Sequence, residues 1–76
     1  MFVTIAKVHE NLFSGEADSL TAPTTEGLVT ILSKHEPLVA NLKAGELVVR
    51  ISGEEKKFTI VDGVLEVSGN QATVLL

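Results

Sequence analysis

The chain has no cysteine, tryptophan or tyrosine, and only two prolines and three phenylalanines among its 76 residues. Without cysteine there are no disulfides or thiolate metal sites to staple it, which fits a reducing compartment. With Phe as the only aromatic type, a core must be built mainly from Val, Leu and Ile, and that palette favours strands. No apolar run approaches the ~18 residues of a membrane-spanning helix. The start, MFVTIAKVHE, has no basic segment ahead of an apolar stretch of signal-peptide length, so the expectation is a soluble, intracellular protein. Positive charge is also scarce: six Lys and Arg against ten Asp and Glu give a net charge of −4. Attraction to a nucleic-acid backbone or an anionic lipid surface therefore has no electrostatic support.

What remains is short and apolar. A length of 76 residues allows one domain, residues 1–76, and a domain of this size buries only about 60% of the surface its unfolded chain exposes. At roughly 0.05–0.15 kcal/mol per residue, net stability is on the order of 4–11 kcal/mol, so a partner that covered apolar surface would add usefully to it.

Periodicity predicts strands throughout. Phe2 to Val8 reads as a first strand, Asn11 to Gly15 as a short apolar corner, and Glu16 to Ala22 as a weaker strand. Pro23 to Gly27 reads as a turn leading into Leu28–Leu32, and Leu38–Leu42 is a strand on length alone. From Glu46 the alternation is clean: Leu47, Val49 and Ile51 against Glu46, Val48 and Arg50, then a turn at Gly53, then Phe58 and Ile60. Asp62-Gly63 matches a two-residue hairpin turn, and Gly69-Asn70 punctuates again before Ala72, Val74 and Leu76. No segment carries a helical stripe. The fold class expected is all-β, an antiparallel β-sandwich of about eight to ten short strands.

The chemistry of catalysis is missing from the pattern. No serine sits in a nucleophile-elbow motif, and His9 and His35 belong to no metal-ligand spacing. Neither GxGxxG nor a P-loop occurs. No catalytic, cofactor-binding or metal residue is therefore expected, and a binding or assembly module is the reading. The corner Ser33-Lys34-His35-Glu36-Pro37 stands out, because Pro37 fixes its own φ and pushes Glu36 toward an extended conformation. His35 there is either a corner histidine bonding a nearby carbonyl or an interface residue on a protruding loop.

Five pieces, in order, carry a family resemblance: Leu12-Phe13-Ser14-Gly15, Thr24-Thr25-Glu26-Gly27, His35-Glu36-Pro37-Leu38, Leu42-Lys43-Ala44-Gly45 and Asp62-Gly63-Val64-Leu65-Glu66-Val67. Their order and spacing resemble the N-terminal domain of the F-type ATP synthase epsilon subunit. The resemblance implies a β-sandwich of about ten strands in the central stalk, peripheral on the cytoplasmic face of the energy-coupling membrane, with the gamma subunit and the c ring as partners and no cofactor. It implies coupling between those partners in ion-driven ATP synthesis rather than an active site. Carried over by position, the ring-facing residues are Glu26, Gly27, Leu28, His35, Glu36, Pro37 and Leu38, and exposed apolar strand residues such as Val48 or Val61 are candidates for gamma.

The sequence departs from the family pattern at Leu28, where many members carry an acid, at Thr30 in place of a glycine, and at Ser33-Lys34 in place of Pro-Gly. Typical members of the family continue into a helical hairpin beyond the position of Leu76. For a complete protein the resemblance then implies neither an inhibitory arm nor an ATP site, and for a piece of a longer one those functions lie outside these residues. The competing reading is a stand-alone β-sandwich interaction adaptor of epsilon-like fold.

Overall fold

The computed structural model describes residues 1–76. Seven strands account for nearly all of them: β1 Phe2–Lys7, β2 Glu10–Glu16, β3 Ser19–Thr24, β4 Gly27–Leu32, β5 Leu38–Ile51, β6 Glu54–Ser68 and β7 Gln71–Leu75, with no helix. They hydrogen-bond in the order β2-β1-β7-β6-β5-β3-β4.

The long pair β5 and β6 turns this continuous ladder into a sandwich. The first half of β5, from Leu38 to Lys43, pairs with the second half of β6, and the second half of β5, from Gly45 to Ile51, pairs with the first half of β6. β7, β1 and β2 extend the ladder from the Val64–Ser68 end of β6, while β3 and β4 extend it from the other side, through β5. One layer is therefore β2-β1-β7 with one half of the long hairpin. The other is β4-β3 with the remaining half. Val3, Ile5, Leu65 and Val74 from the first layer and Leu20, Ile31, Leu47 and Val49 from the second are fully buried in a single core. Period-two alternation sends one side of each strand into that core and the other to the outside.

Several expectations are corrected by this arrangement. There are seven strands rather than eight to ten, because Asp62-Gly63 is a bend inside β6 and not a hairpin turn: Lys43 still pairs with Asp62 and Leu42 with Gly63. Likewise Leu38–Leu42 and Glu46–Ile51 are one strand, bent near Gly45. The true two-residue turn of that hairpin is Ser52-Gly53, whose φ values of 50° and 83° are both positive, as a type I′ turn demands. Asp18 supports it by accepting from the Ser52 amide at 2.9 Å.

The sandwich is also not wholly antiparallel, since β1 pairs with β7 in parallel from Phe2↔Gln71 to Ala6↔Leu75. Two strands so distant in sequence meet through burial of Val3 and Ile5 against Ala72 and Val74, which local patterning does not reveal. The Asn11–Gly15 corner is instead the body of β2, and Pro23 lies in β3 rather than in a turn. It falls where the β3–β5 register shifts, which suits a residue with no amide hydrogen to give.

At the open margin between layers, Phe13 and Phe58 pack with ring centroids 6.2 Å apart, and the Lys56 ammonium lies 5.6 Å from the Phe13 ring centre. The charged run Glu54 to Lys57 is exposed, and Arg50 pairs with Glu55 across the hairpin.

Candidate functional site

The seven residues singled out by resemblance fall into two groups at opposite ends of β4. Glu26, Gly27 and Leu28 form or follow the β3–β4 turn. The Thr24 hydroxyl, only 1% exposed, shapes it: the oxygen accepts from the Glu26 amide at 3.1 Å and donates to the Gly27 carbonyl at 2.6 Å. The Thr25 amide donates to the Asn41 carbonyl at 2.9 Å, which ties the turn to β5. Leu28 then projects outward, 74% exposed.

The second group lies about 17 Å along β4 at ordinary strand rise. Here the chain reverses between β4 and β5 through hydrogen bonds to the chain start, the β6–β7 turn and the end of β4. The Ser33 hydroxyl accepts from the Met1 ammonium at 3.4 Å, the Lys34 amide donates to Asn70 Oδ1 at 3.2 Å, and the His35 amide donates to the Leu32 carbonyl at 3.2 Å. His35 Nδ1 lies 2.7 Å from the Glu36 carbonyl. A carbonyl only accepts, so Nδ1 carries the hydrogen of this contact. The histidine thus bonds a nearby carbonyl, one of the two roles expected for it, while Glu36 and Pro37 stay exposed.

β5 brings the two groups back toward each other. One groove of about 260 Å³ is lined by Glu26, Val29, Leu38, Val39 and neighbouring backbone, and a second of about 370 Å³ by Pro37, Leu38, Val39 and the end of β6. Glu26, Pro37 and Leu38 therefore line adjoining grooves. Gly27, Leu28, His35 and Glu36 stand outside them. Val39, 70% exposed and common to both grooves, was not singled out from sequence. Strand parity points to it: Leu42 faces the core, so Val39 and Asn41 face out. No group of three or more His, Cys, Asp or Glu is placed to hold a metal ion.

A second surface is the outer side of the first layer. Register places Ala6, Leu75 and Val64 in one row across β1, β7 and β6. Phe2 and Val39 lie on the same side, and Phe2, Val39, Val64 and Leu75 are all at least 38% exposed. The neighbours between them are Thr4, Thr73, Gln71, Ser68 and Asn41, with the Glu66 carboxylate in the middle row between Val39 and Thr73. Val48 is half-buried on the opposite layer, and Val61 is 77% exposed beside the β6 bend.

Lys34 holds a φ of 65°. A left-handed backbone costs an L-residue roughly 1–2 kcal/mol, and glycine avoids this at an entropic cost of ~0.5–1 kcal/mol. Lys34→Gly is thus expected to stabilise the fold by up to about 1 kcal/mol, read as a higher urea midpoint with unchanged slope.

Comparison with known proteins decides the family. The model of the ATP synthase delta/epsilon chain beta-sandwich domain matches residues 1–76. The chain belongs to that family. It is 35% identical over 77 residues to the ATP synthase epsilon chain of Neisseria meningitidis, covering 99% of this chain and 55% of that protein. Against the epsilon chain of Hydrogenovibrio crunogenus the identity is 43% over 75 residues, covering 99% and 52%. With that of Chlorobium limicola it is 45% over 64 residues, covering 83% and 73%. The chain thus spans about half the length of the first two relatives.

Among solved structures, a chain of the Euglena gracilis mitochondrial ATP synthase, in a structure of its OSCP, F1 and c-ring, superposes with a TM-score of 0.89 at 25% identity, over 96% of this chain and 48% of that one. A chain of the Tetrahymena thermophila mitochondrial ATP synthase central stalk and c-ring superposes with a TM-score of 0.83 over 97% of this chain and 60% of that one; at 22% identity it shows the shared fold.

Proposed function

We propose that this ATP synthase delta/epsilon-type sandwich serves as a non-catalytic rotor-stalk component of an F-type ATP synthase, joining the gamma subunit to the c ring on the cytoplasmic face of the energy-coupling membrane. The observation that carries the reading is the family match across residues 1–76. It is supported by likeness to a chain of a structure that contains F1 and a c-ring.

The architecture suits a part that transmits force between two partners. A coupling element needs two separate surfaces with a stiff body between them. The ring-facing surface in this reading is a band from Glu26, Gly27 and Leu28 at one end of β4 to His35, Glu36, Pro37 and Leu38 at the other. The gamma-facing surface is the outer side of the first layer, with Phe2, Val64 and Leu75. β5 and β6 run unbroken through both layers, so displacement of one layer is resisted by backbone hydrogen bonds as well as by the shared core. Leu28 and Lys34 give the ring-facing band an apolar group and a cation where the resemblance leads one to expect an acid and a glycine.

Co-expression with the cognate gamma subunit tests the reading. Co-purification of the two as a complex is the expected outcome. Failure to associate, together with absence of the chain from purified ATP synthase, would sink the reading in favour of a stand-alone adaptor.

A further inference from the structure

We infer that Asn70 is a positioning residue for the Lys34–Pro37 corner: its side-chain oxygen, carried on the β6–β7 turn, holds that corner in the shape it presents to a partner. This deepens the ring-contact reading of the corner and rests on it. The Lys34 amide reaches 36 positions along the chain to donate to Asn70 Oδ1 at 3.2 Å. Lys34 is also the residue of the corner held at a positive φ, 65°. The hydrogen bond therefore falls on the residue whose backbone is least favourable by itself, and offsets that penalty where the chain reverses. Its loss frees Lys34 to relax toward ordinary φ, which swings His35, Glu36 and Pro37 with it.

Two features separate this role from a purely structural one. The Asn70 carbonyl also accepts from the Phe2 amide at 3.0 Å, but that is a backbone bond and survives any side-chain change. The β6–β7 turn itself makes no demand on the side chain at 70. Gly69 takes the positive φ of 60° and Asn70 does not, as in a hairpin turn with glycine at the first central position. An alanine at 70 thus leaves the turn and the Phe2 link in place and removes the acceptor that serves the corner. An aspartate restores a side-chain oxygen at the same reach.

The test uses the full chain and its Asn70→Ala and Asn70→Asp variants, with amide hydrogen exchange read residue by residue by NMR. Asn70→Ala is expected to speed exchange at Lys34 about threefold to tenfold, the factor corresponding to a hydrogen bond of ordinary net strength, while Val3 and Leu65 in the core stay slow. Asn70→Asp is expected to return Lys34 to the slow rate. Unchanged Lys34 exchange in Asn70→Ala, or equal acceleration of Lys34, Val3 and Leu65, overturns the positioning role. Co-sedimentation with membranes carrying the c ring is expected to show the dissociation constant of Asn70→Ala raised by a similar factor. Faster Lys34 exchange with unchanged ring affinity overturns the ring-contact reading instead, so the two failures are read separately.

Discussion

Gly63→Ala is expected to destabilise the protein by roughly 2–6 kcal/mol, combining backbone strain with steric overlap. Gly63 has a φ of 146°, and a Cβ there would lie 2.8 Å from the Leu75 carbonyl oxygen and 2.8 Å from Leu76 Cδ2. The Leu76 side chain can swing away. The Leu75 carbonyl cannot, because it belongs to β7, whose Leu75 pairs with Val64 of β6. Relief therefore requires β7 to separate from β6 at the point where the long strand bends between layers. Against a net stability on the order of 4–11 kcal/mol for a chain of this size, the loss is a large fraction of the whole. It corresponds to a melting temperature lower by at least about 8 °C. Gly53→Ala provides the control: Gly53 also has a positive φ, 83°, but no atom lies within 4 Å of its Cβ position. Only strain applies there, about 1–2 kcal/mol. Equal melting temperatures for the two variants would contradict the close approach of β7 at Gly63.

Leu65→Ala is expected to cost about 2–5 kcal/mol, and Leu28→Ala less than ~0.5 kcal/mol. The two leucines differ only in where the sandwich puts them. Leu65 is 0% exposed and sits in the core with Val74 and Ala40 as cross-strand neighbours, whereas Leu28 is 74% exposed beside the β3–β4 turn. Truncating Leu65 removes buried methyl groups and leaves a cavity that strands on both sides hold open. Truncating Leu28 removes a group that water already reaches. Urea unfolding checks both, with the midpoint of Leu65→Ala falling and that of Leu28→Ala staying at the parent value. If the band through Leu28 faces the ring, the second variant lowers association with c-ring membranes while leaving the midpoint unchanged. A marked loss of stability in Leu28→Ala would show that this side chain packs against the protein's own core and would remove it from the contact surface.

The inward and outward faces of the second half of the chain were legible in the sequence. Leu47 and Val49, Ile60, Val74 and Ala72 follow strict alternation, and all are buried. The corner was legible for a different reason: Pro37 stiffens it, and its place among neighbouring motifs carried the family resemblance that the match over residues 1–76 establishes. The bends were not. Asp62-Gly63 has the composition of a hairpin turn, and only the pairing of Lys43 with Asp62 and Leu42 with Gly63 shows that the ladder continues through it. Ser52 gave no local sign of a positive φ, yet with Gly53 it makes the real turn. Val39 was hidden in an apolar run whose alternate members face opposite ways.

The sequence by itself determined the class of structure and its family. A Val, Leu and Ile palette without helical periodicity leaves strands as the way to satisfy the backbone, and strand parity then sorts the side chains. The tertiary structure alone decided how the strands close. The parallel pairing of β1 with β7, the crossing of both layers by β5 and β6, and the hold of Asn70 on Lys34 each join residues far apart in the chain. Such contacts arise from burial shared between distant segments, and no local window of sequence contains both partners.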